Sequence, residues 1–254
     1  MKIGIVGTGN MAFWLCQNWS KTHEITVYGR SEKSKNALKN RLPVKVTTRL
    51  ETFKEQHFDL IILAVSDDSI QKCAQEFLNT DSILIHTSGN YQLPLGSKQE
   101  GSIWPIYSIN KNHLPDIKNI PVCCTGNNDS VKKAIHILAE ELTEDVFWIE
   151  AEQKPWLHLC AVLGNNFIHH ILIIMSEILE QKKIPKELLG PILTQTIALF
   201  SNSEIKYLQT GPAARGDEKT MNTHIEMLHS NPEIAQLYKA ISKSIAIMQS
   251  ENKF

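Results

Sequence analysis

A glycine-rich turn stands directly after the first apolar run of the chain, residues 3–6. It reads Gly7, Thr8, Gly9, Asn10, Met11 and Ala12, a G-x-G-x-x-A pattern. In this pattern the first glycine permits a sharp turn, the second lets a diphosphate approach the backbone, and the final small residue lets the helix pack closely on the strand. The pattern therefore predicts a strand, a turn and a helix whose N-terminus faces a bound dinucleotide.

Short β-branched runs alternate with charged, helix-forming stretches up to about residue 150. Strands are predicted at residues 2–6, 25–28, 44–47, 60–65, 83–86, 103–106, 122–124 and 146–149. Beyond that point apolar residues recur at three and four positions, which predicts four helices. We therefore expect an α/β fold with a doubly wound, mostly parallel sheet at residues 1–152, followed by an all-helical domain at residues 153–254.

The composition is that of an ordinary globular chain, with 42% hydrophobic and 21% charged residues among 254. The 26 basic and 27 acidic residues give a net charge of −1, so neither nucleic acid nor an anionic membrane is a predicted partner. Five cysteines without C-x-x-C spacing, and no visible export signal, predict a cytoplasmic protein. The apolar residues 167–179 include four polar side chains and predict a buried helix rather than a membrane span.

The end of the second predicted strand bears on the choice of cofactor. It lacks the acidic residue that binds the ribose 2′-hydroxyl of NAD, which also disfavours S-adenosylmethionine, and it carries Arg30 and Ser31 instead. A guanidinium and a hydroxyl suit a 2′-phosphate, so NADP(H) is favoured over NAD(H). Residues 30–41 could instead form a solvated basic helix, and Glu32 keeps NAD open. Ala64, Val65 and Ser66 are predicted to line the same crevice.

Several polar residues are candidates for proton chemistry. Ser88 follows the fifth predicted strand where a nicotinamide is expected, although Ser88 and His86 could be a turn hydroxyl and a packed histidine. His158, Asn165 and Asn166 form a polar stripe on the first helix of the second domain. Polar groups among apolar neighbours must be satisfied, so they meet either a ligand or another helix.

A loop with two glycines and a proline, residues 211–217, presents Arg215. The guanidinium is predicted to bind an anionic ligand or a partner subunit, or else to pair only with Asp217. Asp217 is also a candidate cap for a following helix, and His224 is predicted to be packed. His169 and His170 are adjacent and cannot share a helix face as metal ligands do, so no metal is expected.

Together these motifs resemble an uncharacterised bacterial family that joins a Rossmann-like domain to a helical domain of unknown function, provisionally named NADP oxidoreductases. More distantly, the chain is similar to deazaflavin-dependent NADP oxidoreductases, pyrroline-5-carboxylate reductase and the 6-phosphogluconate dehydrogenase superfamily. The resemblance implies hydride transfer to or from a small imine, oxo or hydroxy compound bound between the domains. It also implies a homodimer formed by the helical domain, and catalytic roles for His158 and Asn166. Ser88 is the third catalytic candidate, from its position after the fifth predicted strand.

One position departs from the family pattern. Where the family commonly has a His-Pro pair, this chain has Trp104 and Pro105. An indole N–H can only donate, so a proton-accepting role at this position is lost. Trp104, Asn165 and Arg215 are the residues predicted to contact substrate. A protein that binds a dinucleotide as a sensor or scaffold, without turnover, is the alternative function.

Overall fold

The strands form where short β-branched runs predict them. The structure, a computed structural model, describes residues 1–92, 94–112 and 120–251. These residues contain eight strands: β1 (Lys2–Val6), β2 (Glu24–Tyr28), β3 (Lys45–Thr47), β4 (Leu60–Leu63), β5 (Ile83–His86), β6 (Glu100–Pro105), β7 (Val122–Gly126) and β8 (Val146–Trp148). Each predicted strand is found, with ends that move by at most three residues.

The described strands make one sheet in the order β3-β2-β1-β4-β5-β6-β7-β8. Neighbours from β3 to β6 are parallel, β7 is antiparallel to β6, and β8 is parallel to β7. This confirms the doubly wound, mostly parallel Rossmann-type sheet. The direction of winding reverses between β1 and β4, and in open sheets of this kind ligands bind at the carboxyl ends of the strands beside that point.

Helices cover both faces of the sheet, which explains why its central strands are apolar throughout. They are α1 (Asn10–Trp19), α2 (Glu32–Lys39), α3 (Leu50–Lys54), α4 (Asp67–Gln75) and α5 (Asp129–Glu140). Side chains of α1 and α5 are buried in one cluster with Ile3 and Ile5 of β1. Side chains of α3 and α4 are buried with Val6 in a second cluster, so alternate residues of one strand enter different cores.

The chain is helical after β8. Its helices are α6 (Lys154–Ala161), a π-helical turn (Val162–Phe167), α7 (Ile168–Gln181), α8 (Gly190–Ala198), α9 (Pro212–Arg215), α10 (Glu218–Met227) and α11 (Pro232–Glu251). An all-helical C-terminal region is thus confirmed, but the prediction of four helices is wrong. The reason is that Pro191, Pro212 and Pro232 each begin a new helix, because a proline is accommodated in a first turn and not in a helix interior.

The contacts divide the chain into two compact units, Met1–Ile171 and Leu172–Phe254. Among the described residues of the second unit, only Ala213 and Ala235 are buried. Large apolar side chains of this unit, such as Leu188, Phe200 and Met227, are at least 70% exposed. An interior this small does not stabilise a helical unit by itself.

The segment Lys154–Gln181 is long and apolar enough to cross a membrane, with a mean hydropathy of 1.6 over its most apolar window, and that window is not buried within the described chain. The prediction of a buried helix at residues 167–179 is therefore wrong for a single copy. Its apolar side chains, Phe167 and Ile173 among them, are exposed. Large exposed apolar surfaces are uncommon on monomeric proteins.

Candidate functional site

The turn after β1 requires glycine at its first position. Gly7 has φ +122°, a backbone conformation that side chains rarely adopt. A Cβ on Gly7 would lie 2.2 Å from the carbonyl oxygen of Ala64, just beyond β4. The Gly7 N–H donates to the carbonyl oxygen of Tyr28 at 2.9 Å, which ties the turn to β2. Gly7 therefore brings the ends of three strands together.

The second glycine of the turn borders open space. A Cβ on Gly9 would meet nothing within 4 Å. Gly9 is also the N-cap of α1, and no side chain of the described residues caps this helix. The first N–H groups of α1 are therefore available at the positive end of the helix dipole, next to a backbone without a side chain. This arrangement is a cradle for an anionic group such as a diphosphate.

A cleft of about 540 Å³ opens at the carboxyl ends of β1, β2 and β4. Nine of the ten residues predicted to bind the cofactor line it, and the exception is Ser31. Tyr28, Leu50 and Phe77 supply apolar wall, while Arg30 and Lys72 supply positive charge. Hydroxyl groups, such as that of Ser69, and the Glu76 carboxylate also line it. A cleft of this size is typical of a small-molecule site.

The three residues Arg30, Ser31 and Glu32, which follow β2, make different contacts. Arg30 lines the cleft. Ser31 is the N-cap of α2: its hydroxyl oxygen accepts the N–H of Ser34 at 3.2 Å, and its O–H donates to the Ser34 hydroxyl at 2.8 Å. The Glu32 carboxylate accepts a hydrogen bond from Thr48 Oγ1 at 2.9 Å and pairs with Lys35 at 3.2 Å, which holds its pKa below the ordinary value. Of these three side chains, only that of Arg30 reaches the cleft wall.

The turn after β5 is built around Ser88. The Ser88 hydroxyl oxygen accepts the backbone N–H groups of Asn90 at 3.1 Å and Tyr91 at 2.9 Å. These bonds are those of a turn hydroxyl, and they leave the hydroxyl proton for donation. The preceding residue, Thr87, lines the cleft, so this turn adjoins the cleft edge.

Trp104, Gly89 and His158 are in contact. The rings of Trp104 and His158 lie 5.8 Å apart, centroid to centroid. A Cβ on Gly89 would lie 2.4 Å from the indole and 2.8 Å from His158 Cδ2, so the turn passes against both rings. Three predicted site elements, from β5, β6 and α6, therefore meet at one place.

The polar stripe on the first helix does not follow continuous α-helical spacing. Asn165 and Asn166 lie in the π-helical turn Val162–Phe167, and both are exposed. A π turn holds one more residue than an α turn, so the helical register shifts between His158 and the asparagines. Such turns occur frequently at functional sites.

A buried lysine lies close to this contact, and sequence reasoning missed it. Lys154 is only 2% exposed. Its Nζ atom lies 3.2 Å from Ser102 Oγ and 3.5 Å from Nε2 of His86, which is fully buried. Ser102 Oγ lies 2.9 Å from Thr125 Oγ1 on β7. Four polar side chains thus form a continuous buried network beneath α6.

Burial disfavours charge throughout this network. It lowers the pKa of Lys154 to about 8, although Asp67 and Cys123 act in the opposite direction. The pKa of His86 is well below its ordinary value, because of burial first and the Lys154 charge second. In the sequence, Lys154 precedes Pro155 at the start of a helix, and lysines are rarely buried in proteins. A single lysine directly before an apolar helix is the one sequence signal that could have indicated its burial.

The loop of Arg215 is shaped by two glycines. Gly211 and Gly216 have φ +107° and +72°. Asp217 caps α10, as predicted: its carboxylate accepts the Thr220 O–H at 2.7 Å and the Thr220 N–H at 3.1 Å. These two bonds, the one from the hydroxyl first, lower the pKa of Asp217. Arg215 is exposed and forms no ion pair within 4 Å in the part of the chain that the structure describes. The Arg215 guanidinium therefore forms no ion pair with Asp217.

The described residues contain no group of three histidine, cysteine or acidic side chains that could hold a metal ion. His169 and His170 are both exposed on α7. His224 is partly buried, and its Nδ1 atom lies 2.9 Å from the Tyr238 hydroxyl oxygen.

Two family sequence models match the chain. Residues 2–90 match a family described as NADP oxidoreductase, coenzyme F420-dependent. Residues 120–245 match a domain of unknown function, DUF2520. The first segment contains the glycine turn and the cleft, and the second contains α6 and the Arg215 loop. No curated protein sequence matches the chain significantly.

Solved structures resemble almost the whole chain. A provisionally named NADP oxidoreductase from Bacteroides fragilis is 26% identical, with a TM-score of 0.84, over 96% of this chain and 97% of that one. A 1-pyrroline-5-carboxylate reductase from Streptococcus pyogenes is 20% identical, with a TM-score of 0.61, over 97% and 98%. An imine reductase from Myxococcus stipitatus in complex with NADP+ is 12% identical, with a TM-score of 0.69, over 99% and 93%. A variant of that enzyme holds NAD+ and is 11% identical, with a TM-score of 0.61 over the same shares.

These likenesses agree with the sheet order and the glycine turn. The chain has an oxidoreductase-like, dinucleotide-binding fold, and its motif resemblance is confirmed.

Proposed function

We propose that this chain, whose two parts match an NADP oxidoreductase-type domain and a helical domain of unknown function, is an NADP(H)-dependent oxidoreductase. It would transfer a hydride to or from a small imine, oxo or hydroxy compound. The observation that carries the proposal is the cradle at Gly7 and Gly9, where an uncapped helix N-terminus meets open space. When bound, the nicotinamide supplies the hydride, and the protein positions both reactants and handles the proton.

The preference for NADP(H) rests on the charges at the end of β2. Arg30 lines the cleft, where its guanidinium can bind a 2′-phosphate. The Glu32 carboxylate, which NAD would need at a ribose hydroxyl, bonds Thr48 and Lys35 instead. Both cofactors occur among the structural relatives, as NADP+ and NAD+ in the imine reductase and its variant, so the two must be compared directly.

Arg30→Met is expected to weaken NADPH binding by about ten- to hundredfold, because a charge-assisted hydrogen bond is worth roughly 1.5–3 kcal/mol. NADH binding should change little, since NADH has no 2′-phosphate. Isothermal titration calorimetry measures both affinities. Lys33→Met is the matched control, because Lys33 is exposed on α2 and outside the cleft wall. Equal losses for both nucleotides would assign Arg30 a general role and end the preference for NADP(H).

His158 is the proposed proton donor and acceptor. It is half-buried against Trp104 and Gly89, beside the turn that adjoins the cleft. Ser88 can donate its hydroxyl proton, and we propose Asn166, Asn165 and Trp104 as further contacts to substrate. Arg215 is proposed to bind an anionic group of the substrate or of a partner subunit.

Oxidation of NADPH at 340 nm across imines, 2-oxo acids and aldehydes tests the enzymatic function. We expect turnover with at least one class, and a loss of about 100-fold or more in His158→Ala, as for a general acid. His57→Ala, an exposed histidine between α3 and β4, is the control and should retain activity. Tight NADPH binding without turnover would instead favour the second candidate function, a sensor or scaffold. Trp104 supports this alternative because its indole cannot accept a proton.

A homodimer is proposed because the second unit lacks an interior. Two copies that pair through these helices would bury exposed side chains such as Phe200, Ile173 and Leu188. The same pairing explains the apolar segment Lys154–Gln181 without a membrane. All five cysteines are free, which agrees with the proposed reducing cytoplasmic location.

Sedimentation equilibrium should give twice the mass of the chain. Phe200→Glu is expected to shift the protein toward monomer, because it places a charge on an apolar surface. Asn202→Glu, an exposed polar position nearby in sequence, is the control and should stay dimeric. A wild-type monomer at micromolar concentration would contradict the proposal.

A further inference from the structure

The protonation of His86 follows from its neighbours. Its Nδ1 atom lies 3.2 Å from the backbone nitrogen of Ser88, whose N–H can only donate. Nδ1 is therefore the acceptor, and the one proton of a neutral imidazole is on Nε2. The ring is neutral because it is fully buried and its pKa is well below the ordinary value.

The proton on Nε2 needs an acceptor, and Lys154 Nζ lies 3.5 Å away. An ammonium group has three donors and no acceptor, whereas an uncharged amine offers a lone pair. The amine can then donate to Ser102 Oγ at 3.2 Å, and the Ser102 hydroxyl to Thr125 Oγ1 at 2.9 Å. With Lys154 uncharged, each bond in this network has one donor and one acceptor.

A charged Lys154 would break this match. Either two N–H groups would face each other in a buried place, or the His86 proton would move to Nδ1. In the second case the Ser88 N–H would lose its acceptor, which is costly away from water. Protonation of one amine is thus coupled to the turn that begins at Ser88.

That turn is part of the candidate site. Gly89 passes against Trp104 and His158, and α6 carries Lys154 and His158 one turn apart. We propose that Lys154, as an uncharged amine, is a positioning residue: through His86 it holds the Ser88–Gly89 turn against Trp104 and His158, and its protonation releases that turn. The state of the amine follows from the geometry, whereas its effect on turnover rests on the proposed function.

The groups that face Lys154 set where this change occurs. They are His86 on β5, Cys123 on β7 and Asp67 on α4. His158 lies one turn further along α6. Asp67 and Cys123 favour the charged amine, but burial outweighs them and lowers the pKa of Lys154 to about 8. The amine is therefore uncharged above about pH 8 and takes up a proton below it.

The pH dependence of unfolding tests this assignment. In the unfolded chain lysine keeps its ordinary pKa of 10.5, so between about pH 8 and 10.5 the unfolded state binds more protons and stability rises with pH. Lys154→Met removes this contribution. From pH 7 to 10 the folding equilibrium constant of wild type should rise about 70-fold relative to Lys154→Met. Lys133→Met, exposed on α5, should follow wild type. A pH-independent difference between wild type and Lys154→Met would overturn the assignment.

Two further measurements keep the proposal testable if Lys154→Met does not fold. Nitrogen-15 NMR of wild-type histidines should show His86 protonated on Nε2 above pH 9, with a change of its signals on titration through pH 8. A proton on Nδ1 above pH 9 would refute the proposal. The pH profile of NADPH oxidation should also lose its inflection near pH 8 in Lys154→Met and keep it in Lys133→Met. If NADPH neither binds nor reacts, the proposed function fails, while unfolding and NMR still decide the state of Lys154.

Discussion

Gly9→Asp is expected to abolish the binding of nicotinamide nucleotides while the protein unfolds at the wild-type temperature. A Cβ at this position meets no heavy atom within 4 Å, and φ −76° suits any residue. Aspartate is also a favourable N-cap, so its carboxylate would occupy the N–H groups of α1 and repel a diphosphate. Loss of these bonds predicts affinity at least about 100-fold weaker, measured by calorimetry alongside a melting curve.

Gly9→Ala separates charge from size at the same position. It adds a Cβ without a carboxylate and should weaken binding less than Gly9→Asp does. Affinity of Gly9→Asp within a few fold of wild type would remove the cradle as the binding site.

Gly7→Ala is expected to have the largest effect on stability. Its Cβ would lie 2.2 Å from the Ala64 carbonyl oxygen, and φ +122° is strained for alanine. Strain and overpacking together predict a loss of roughly 3–5 kcal/mol in the free energy of unfolding. Urea unfolding measures this loss.

Gly9→Ala is the matched control for stability too, because the same substitution two residues later enters open space. Its free energy of unfolding should stay within about 1 kcal/mol of wild type. Similar losses at both positions would contradict the close approach of the turn to the residues after β4.

The sheet and the cradle could be predicted because their signals are local. Buried parallel strands read as short apolar runs between turn residues, and the glycine turn requires fixed residue types at fixed spacing. Arg30 on the cleft wall follows from its place after β2. Ser31 shows the limit, since a hydroxyl at a strand end is also a helix cap.

The lysine network could not be predicted because its members are distant in sequence. Lys154 meets Ser102 and His86 from 52 and 68 residues away. Its burial depends on how α6 packs on the sheet, which helical periodicity does not specify. The exposure of the helices in the second unit could not be predicted for a similar reason. An apolar stripe in the sequence does not show whether the same chain or another molecule covers it.

Calorimetric titration of the wild-type protein with NADPH tests the central claim most directly. We expect one nucleotide bound per chain. At a nucleotide concentration 100-fold above the Kd, binding should stabilise the folded protein by about 2.7 kcal/mol and raise its melting temperature accordingly. Absence of heat and an unchanged melting temperature with both NADPH and NADH would contradict it.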